Sequence, residues 1–278
     1  YPLRARALFA VVALRGSDPQ MRHTAHLQLA QSIMESSNGS RVLPRLYLRS
    51  RRFIRRQEIP APVRYRLVDL ALEASEVTLA SDLMRDLTTP PAGLDRIDWE
   101  MRRARVLILG GAPVEGAEVL RELIDSTPSF ENSALDRLLQ VIFDLQTVES
   151  HDRALQLFDQ VAHKPLDVQR RRELFFWMAD SHRATGRHQE AAFHYLRSAT
   201  LADPFSMDRW AQTARYQAAR ELASAGLYQD AQRLFRSLLN ATRDTSRRAV
   251  LQREIQQLQL KRRTLDARSA PADAVSRQ

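Results

Sequence analysis

Small apolar residues recur along this chain at a nearly constant step. Counting back from Ala191 in units of 37 reaches Ala154, Ala117, Ala80, Leu43 and residue 6, beside Ala7. Large apolar residues follow within a turn or two: Phe158 and Val161, then Leu120, Leu123 and Ile124, then Leu83, Met84 and Leu87, then Tyr47. Prolines punctuate the blocks at Pro165, Pro128, Pro90 and Pro19. Forward from Ala191, the next such residue is Ala231, followed by Phe235, a step of 40. Spacings of three and four between apolar positions trace the face of a helix, and no period-two alternation competes with them. The pattern predicts helices throughout, in units of about 37 residues. They fall at 1–19 (partial), 22–58, 62–95, 98–130, 134–167, 171–206 and 211–242. A capping helix is expected at 246–263, with Ala249, Ile255 and Leu258 inward, and a disordered tail at 264–278.

Each unit reads as two helices. The run Leu174-Phe175-Phe176-Trp177-Met178-Ala179 leads to Gly186, five residues before Ala191, with Tyr195 four further on and Asp203-Pro204 at the close. Gly226, Ala231 and Phe235 repeat this order. Glycine supplies a left-handed turn, proline ends a helix, and small residues let two helices cross closely. This grammar resembles the tetratricopeptide repeat family, most clearly over 172–240. The resemblance implies an all-α, right-handed α-solenoid of antiparallel helix pairs forming a single domain over 1–263. Ser75 and Glu149 depart from it, standing where the turn glycine belongs, and the step exceeds the family's usual 34. Residues 1–17 read as a second helix without its first, as in the C-terminal part of a longer bacterial solenoid. Asp18-Pro19 would end that helix. The competing reading of 7–14, a signal-peptide core, lacks a cleavage site.

Composition narrows the classes. At 44% hydrophobic and 27% charged, with 8 Gly and 12 Pro, the chain has the makeup of a globular protein. It has no cysteine, which removes disulfides, thiolate metal sites and a cysteine nucleophile together. The net charge is +9. Residues 1–56 hold eleven arginines against Asp18 and Glu35, so 11 − 2 accounts for all of it.

Candidate chemistry is sparse. HExxH, Walker A, GxGxxG, GxSxG and EF-hand signatures are missing from the sequence. His182, His188 and His194 are six apart, off the i, i+4 spacing of helical metal ligands, and His23 with His26 reads as a surface pair. No catalytic residue, metal or cofactor is assigned. An enzyme with a site built across repeats is the remote alternative.

The resemblance implies a concave groove lined by the first helices, with groove positions at Tyr65, Asp69, Trp99, Arg102, Phe143, Glu173, Phe176, Asp180, Arg183, Tyr216 and Arg220. Rings beside charges suit a protein or peptide partner, extended or helical. Phe143 and Phe176 have packing between helices as their other reading. The lysines and asparagines of the family's two-carboxylate clamp are absent.

A second surface comes from the residues directly. Arg41, Arg45, Arg49, Arg52 and Arg56 recur at spacings 4, 4, 3 and 4, one stripe of a helix over 41–56. Leu43, Leu46, Tyr47, Ser50, Phe53 and Ile54 form the opposite face, and Pro44 falls in the first turn. A solvated outer face, a protein partner, or an anionic membrane or polyanion all fit. Nucleic acid is disfavoured, because Tyr47 and Phe53 sit on the apolar side. The expected function is a non-catalytic interaction scaffold or adaptor, in cell-envelope assembly, secretion or substrate delivery. Location leans to the bacterial periplasm or envelope, with cytoplasm the alternative.

Overall fold

The computed structural model describes residues 2–49 and 56–269. Among them are fourteen α-helices, a short 3-10 turn at Arg56–Glu58, and no strand. After α1 (Pro2–Arg15), the helices come in pairs. They are α2 (Pro19–Met34) with α3 (Gly39–Leu48), α4 (Ala61–Glu73) with α5 (Val77–Met84), and α6 (Arg96–Leu109) with α7 (Pro113–Ser126). Then follow α8 (Asn132–Thr147) with α9 (His151–Ala162), α10 (Val168–Ala184) with α11 (His188–Thr200), and α12 (Arg209–Ser224) with α13 (Tyr228–Ala241). The last helix, α14, runs Thr245–Ser269.

Two local devices produce this rhythm. Four of the six first helices, α2, α6, α10 and α12, open on an aspartate whose carboxylate accepts otherwise unpaired amides: Asp18 from Gln20 and Met21, Asp95 from Ile97 and Asp98, Asp167 from Arg170, and Asp208 from Ala211. Asp18-Pro19 is therefore the start of α2 and not the end of α1, since proline's missing N–H costs nothing in a first turn. Within pairs, the turn from α4 to α13 always carries a positive φ, at Ser75 (60°), Gly111 (95°), Glu149 (60°), Gly186 (75°) and Gly226 (79°).

Two compact units divide the chain, Tyr1–Arg153 and Ala154–Gln278. In the first, Leu29, Leu43, Tyr47, Leu67, Leu83, Met84 and Trp99 belong to one buried cluster, and Ala80 is fully buried at the α4–α5 crossing. In the second, Ala191 and Tyr195 pack with Ala179 and Ala218, while Ala231 and Phe235 pack with Leu251 and Leu258 of α14. Every alanine on the 37-residue step is buried, from Ala80 to Ala231.

The three-residue lengthening before Ala231 lies in the connection 201–208. Arg215, itself 5% exposed, donates from Nη2 to the Pro204 carbonyl at 2.7 Å and from Nη1 to that of Ser206. Gln212 Nε2 donates to the Met207 carbonyl at 2.6 Å.

Several expectations are corrected. The basic helix is shorter: α3 starts at Gly39 and stops at Leu48, so Pro44 is interior and Arg49 is the C-cap. Pro44 forfeits the backbone bond to the Ser40 carbonyl and crowds the turn before it, and the helix runs on past it to Leu48. Arg56 belongs to the 3-10 turn, and Arg52, Ser50, Phe53 and Ile54 lie outside the described residues. Leu46 is exposed although placed on the apolar face. At the other end, α14 continues six residues past Arg263, and the rest of the tail, 270–278, is outside the described residues. Ala249 is exposed and Leu251 takes the inward place. His26 is buried, its Nδ1 2.8 Å from the Tyr47 hydroxyl, so it forms no surface pair with His23.

Candidate functional site

In the first unit, three adjoining clefts run beside the first helices. One of about 550 Å³ is bordered by Tyr65, Arg66 and Asp69 of α4 and by Trp99 and Arg102 of α6, with Leu27 of α2 and Gly93 of the α5–α6 connection at its edges. A second of about 330 Å³ shares Arg66, Asp69 and Arg102 and adds Glu73. A third of about 400 Å³ lies between α6 and α8, lined by Asp98, Arg102, Arg105, Arg137 and Gln140. The structure thus brings Tyr65, Asp69, Trp99 and Arg102 to the border of one cleft.

Their availability differs from expectation. Trp99 is 1% exposed; it is a core residue, and only its edge closes the cleft floor. A ring of that size next to α4 gains more from burial than from display. Tyr65 packs edge-on against it at 5.4 Å and donates its hydroxyl to the Thr89 carbonyl at 2.6 Å. Its phenol is pushed above the ordinary value by burial, opposed by Arg64.

The charges are stitched laterally. Arg102 of α6 donates to Asp69 of α4, Arg137 of α8 to Asp98 of α6 at 2.7 Å, and Arg105 of α6 pairs with Asp144 of α8 at 2.9 Å. Burial pushes the Asp144 carboxyl up, and Arg105 pulls it back. Arg66 and Glu73 make no such pair among the described residues and remain the ionic groups a visitor meets first. Phe143 of α8 is half-buried.

In the second unit, Phe176 of α10 packs at 5.0 Å from Tyr195 of α11 and 5.2 Å from Trp210 of α12. It fills the space between helices, the second of the two readings the sequence allowed. Asp180 accepts from Tyr195 and, at 3.3 Å, from Arg183. Glu173 accepts from Gln169 at 3.2 Å, and Tyr216 donates to Glu254 of α14 at 3.1 Å. Arg183 and Arg220 are exposed. Tyr216 also lines a mostly apolar cleft of about 430 Å³ with Leu238, Val250 and Leu251, under α14.

Sequence reasoning missed three arrangements. Arg64 is buried and bonds Asp86 at 2.5 Å. His182 and His194 stack at 5.1 Å, their planes 14° apart, although they lie twelve residues apart on different helices. Burial foremost, with His182 and Arg197, holds His194 down at about 4. His188 meets Glu221 at 2.7 Å. Among the described residues no cluster of three His, Asp or Glu is placed to hold a metal ion.

No protein-family model matches this chain, and no curated protein matches it. Among solved structures, it is similar to a chain from Podosopora anserina, provisionally assigned to the kinesin light chains and built of nearly identical TPR-like repeats. The identity is 18% and the TM-score 0.43, over 67% of this chain and 100% of that one. This chain's own helix pairs, left-handed turns and buried alanines make it an all-α helical repeat.

Proposed function

We propose that the chain is a non-catalytic scaffold that holds a protein or peptide along the first helices of its repeats. Within the first unit, the seat is the run of clefts beside α4, α6 and α8. The observation that carries this reading is their adjacency: Arg66 and Asp69 each border two clefts and Arg102 borders all three, so one extended or helical segment can lie across them. Tyr65 supplies area, and Arg66 and Glu73 set register. The lateral ion pairs restrain the charged side chains at the cleft borders, which limits the ordering cost of binding. Envelope assembly, secretion and substrate delivery are the settings that suit such a holder.

Affinity capture from a native lysate, run in parallel with wild-type protein and an Arg66→Glu, Tyr65→Ala variant, tests the seat. A protein held by the wild type at low and high salt, and lost by the variant, supports it. Equal retention by both moves the site away from these clefts.

A further inference from the structure

Residues 1–56 carry the whole net charge, and residues 3–46 carry seven of the seventeen large apolar side chains exposed among the described residues. The two features meet on α3. Its inner side is fixed: Leu43 and Tyr47 are 0% and 1% exposed, and the Tyr47 hydroxyl is bonded to His26. Its outer side therefore presents two parallel rows. Arg41, Arg45 and Arg49 stand at i, i+4 and i+8, all exposed; Val42 (43% exposed) and Leu46 (39%) stand beside them. None of the three arginines has a carboxylate within ion-pair distance among the described residues.

We propose that this face of α3 docks the chain onto an anionic lipid surface, with Val42 and Leu46 entering the headgroup region and the arginines meeting lipid phosphates and carboxylates. Like charges one helical turn apart repel, and a row of them gains when it faces a diffuse sheet of negative charge. The row is about 12 Å long at 1.5 Å per residue, a dimension of several headgroups rather than of one bound anion. Short aliphatic side chains between arginines suit the interface of a bilayer, where the guanidinium snorkels above a shallow apolar contact. They do not suit nucleic acid, which takes exposed rings for stacking, and Tyr47, the ring of this helix, is buried. In the sequence the charge continues through Arg51, Arg52, Arg55 and Arg56 with no acidic residue in 41–56. Docking of this kind is peripheral: among the described residues no helix is long and apolar enough to cross a membrane.

The test is co-sedimentation with phosphatidylcholine vesicles made with and without phosphatidylserine, across a salt series. Wild-type protein is expected to bind the phosphatidylserine vesicles alone, with affinity falling as salt rises. Replacing Arg41→Gln, Arg45→Gln and Arg49→Gln together lowers partitioning about a hundredfold, at about fivefold per arginine. Val42→Ser with Leu46→Ser weakens binding and leaves the salt dependence unchanged, and both variants keep their circular dichroism because the five positions are exposed. Arg66→Glu, which tests the groove, leaves vesicle binding intact. No binding at low salt overturns the proposal, as does undiminished binding by the triple arginine variant. Retention on heparin without binding to vesicles also overturns it and makes the partner a polyanion.

Discussion

Ser75 and Glu149 share a left-handed backbone, φ 60° in each, at the turn where Gly111, Gly186 and Gly226 stand in three other pairs. A side chain in that region costs about 1 kcal/mol or more relative to glycine, partly offset by the freedom glycine adds to the unfolded chain. Ser75→Gly and Glu149→Gly are each expected to stabilise by up to about 1 kcal/mol, raising Tm by about 2 °C in calorimetry. The converse holds at Gly186, where an added Cβ meets nothing within 4 Å. Gly186→Ala should lower Tm through backbone strain alone. An unchanged Tm in all three variants sinks this account.

Trp99 is buried with its indole Nε1 lacking a hydrogen-bond partner. Trp99→Phe gives up packing area yet removes an orphaned donor, so it is expected to cost about 1 kcal/mol or less, against about 3–5 kcal/mol for Trp99→Ala. Urea denaturation separates them; a phenylalanine as damaging as alanine shows that the N–H is satisfied in solution.

The Arg64–Asp86 pair joins a buried cation to a half-exposed anion. Asp86→Ala strands the cation and is expected to cost about 2 kcal/mol or more, whereas Arg64→Met removes the demand and lands within about 1 kcal/mol of wild type. The order of the two denaturation midpoints decides it. Arg64→Met as the worse variant contradicts the reading.

His194 titrates at about 4 in the folded chain, below its ordinary 6.5. Between those values the unfolded chain binds the proton more readily, so stability is full above pH 6.5 and falls as pH drops toward 4. A His194→Gln variant should lose less Tm between pH 7 and 4.5 than wild type does. Parallel profiles place the acid sensitivity elsewhere.

The helix pairs were legible because small residues at crossings and left-handed turns leave marks at fixed separations. Ala80, Ala117, Ala154, Ala191 and Ala231 could be counted, and so could the turns, even where Ser75 and Glu149 hide the glycine. Tyr65, Asp69 and Arg102, placed by the resemblance alone, border one cleft. What escaped depends on depth and direction, which one sequence carries weakly. Trp99 sits at a groove position but is buried, and α3 stops at Leu48 although the arginine spacing runs on. The lateral pairs follow the repeat indirectly: Asp69–Arg102, Asp98–Arg137 and Arg105–Asp144 are separated by 33, 39 and 39 residues, within about one helical turn of the 37-residue step. Knowing the step makes such partners searchable, whereas the stacked His182 and His194 obey no period at all.

The grip of Arg215 on the connection between α11 and α12 bears on how this unit comes apart. A linear stack frays from its ends, one pair after another, and its longest connection is the natural fracture point. Here the buried guanidinium is rooted in α12 and holds the carbonyls of Pro204 and Ser206 in the exposed connection. Peeling α12 away would strip both carbonyls of their donors at once. The extra residues are riveted where a seam would be expected, and α10 to α13 are expected to melt as one block.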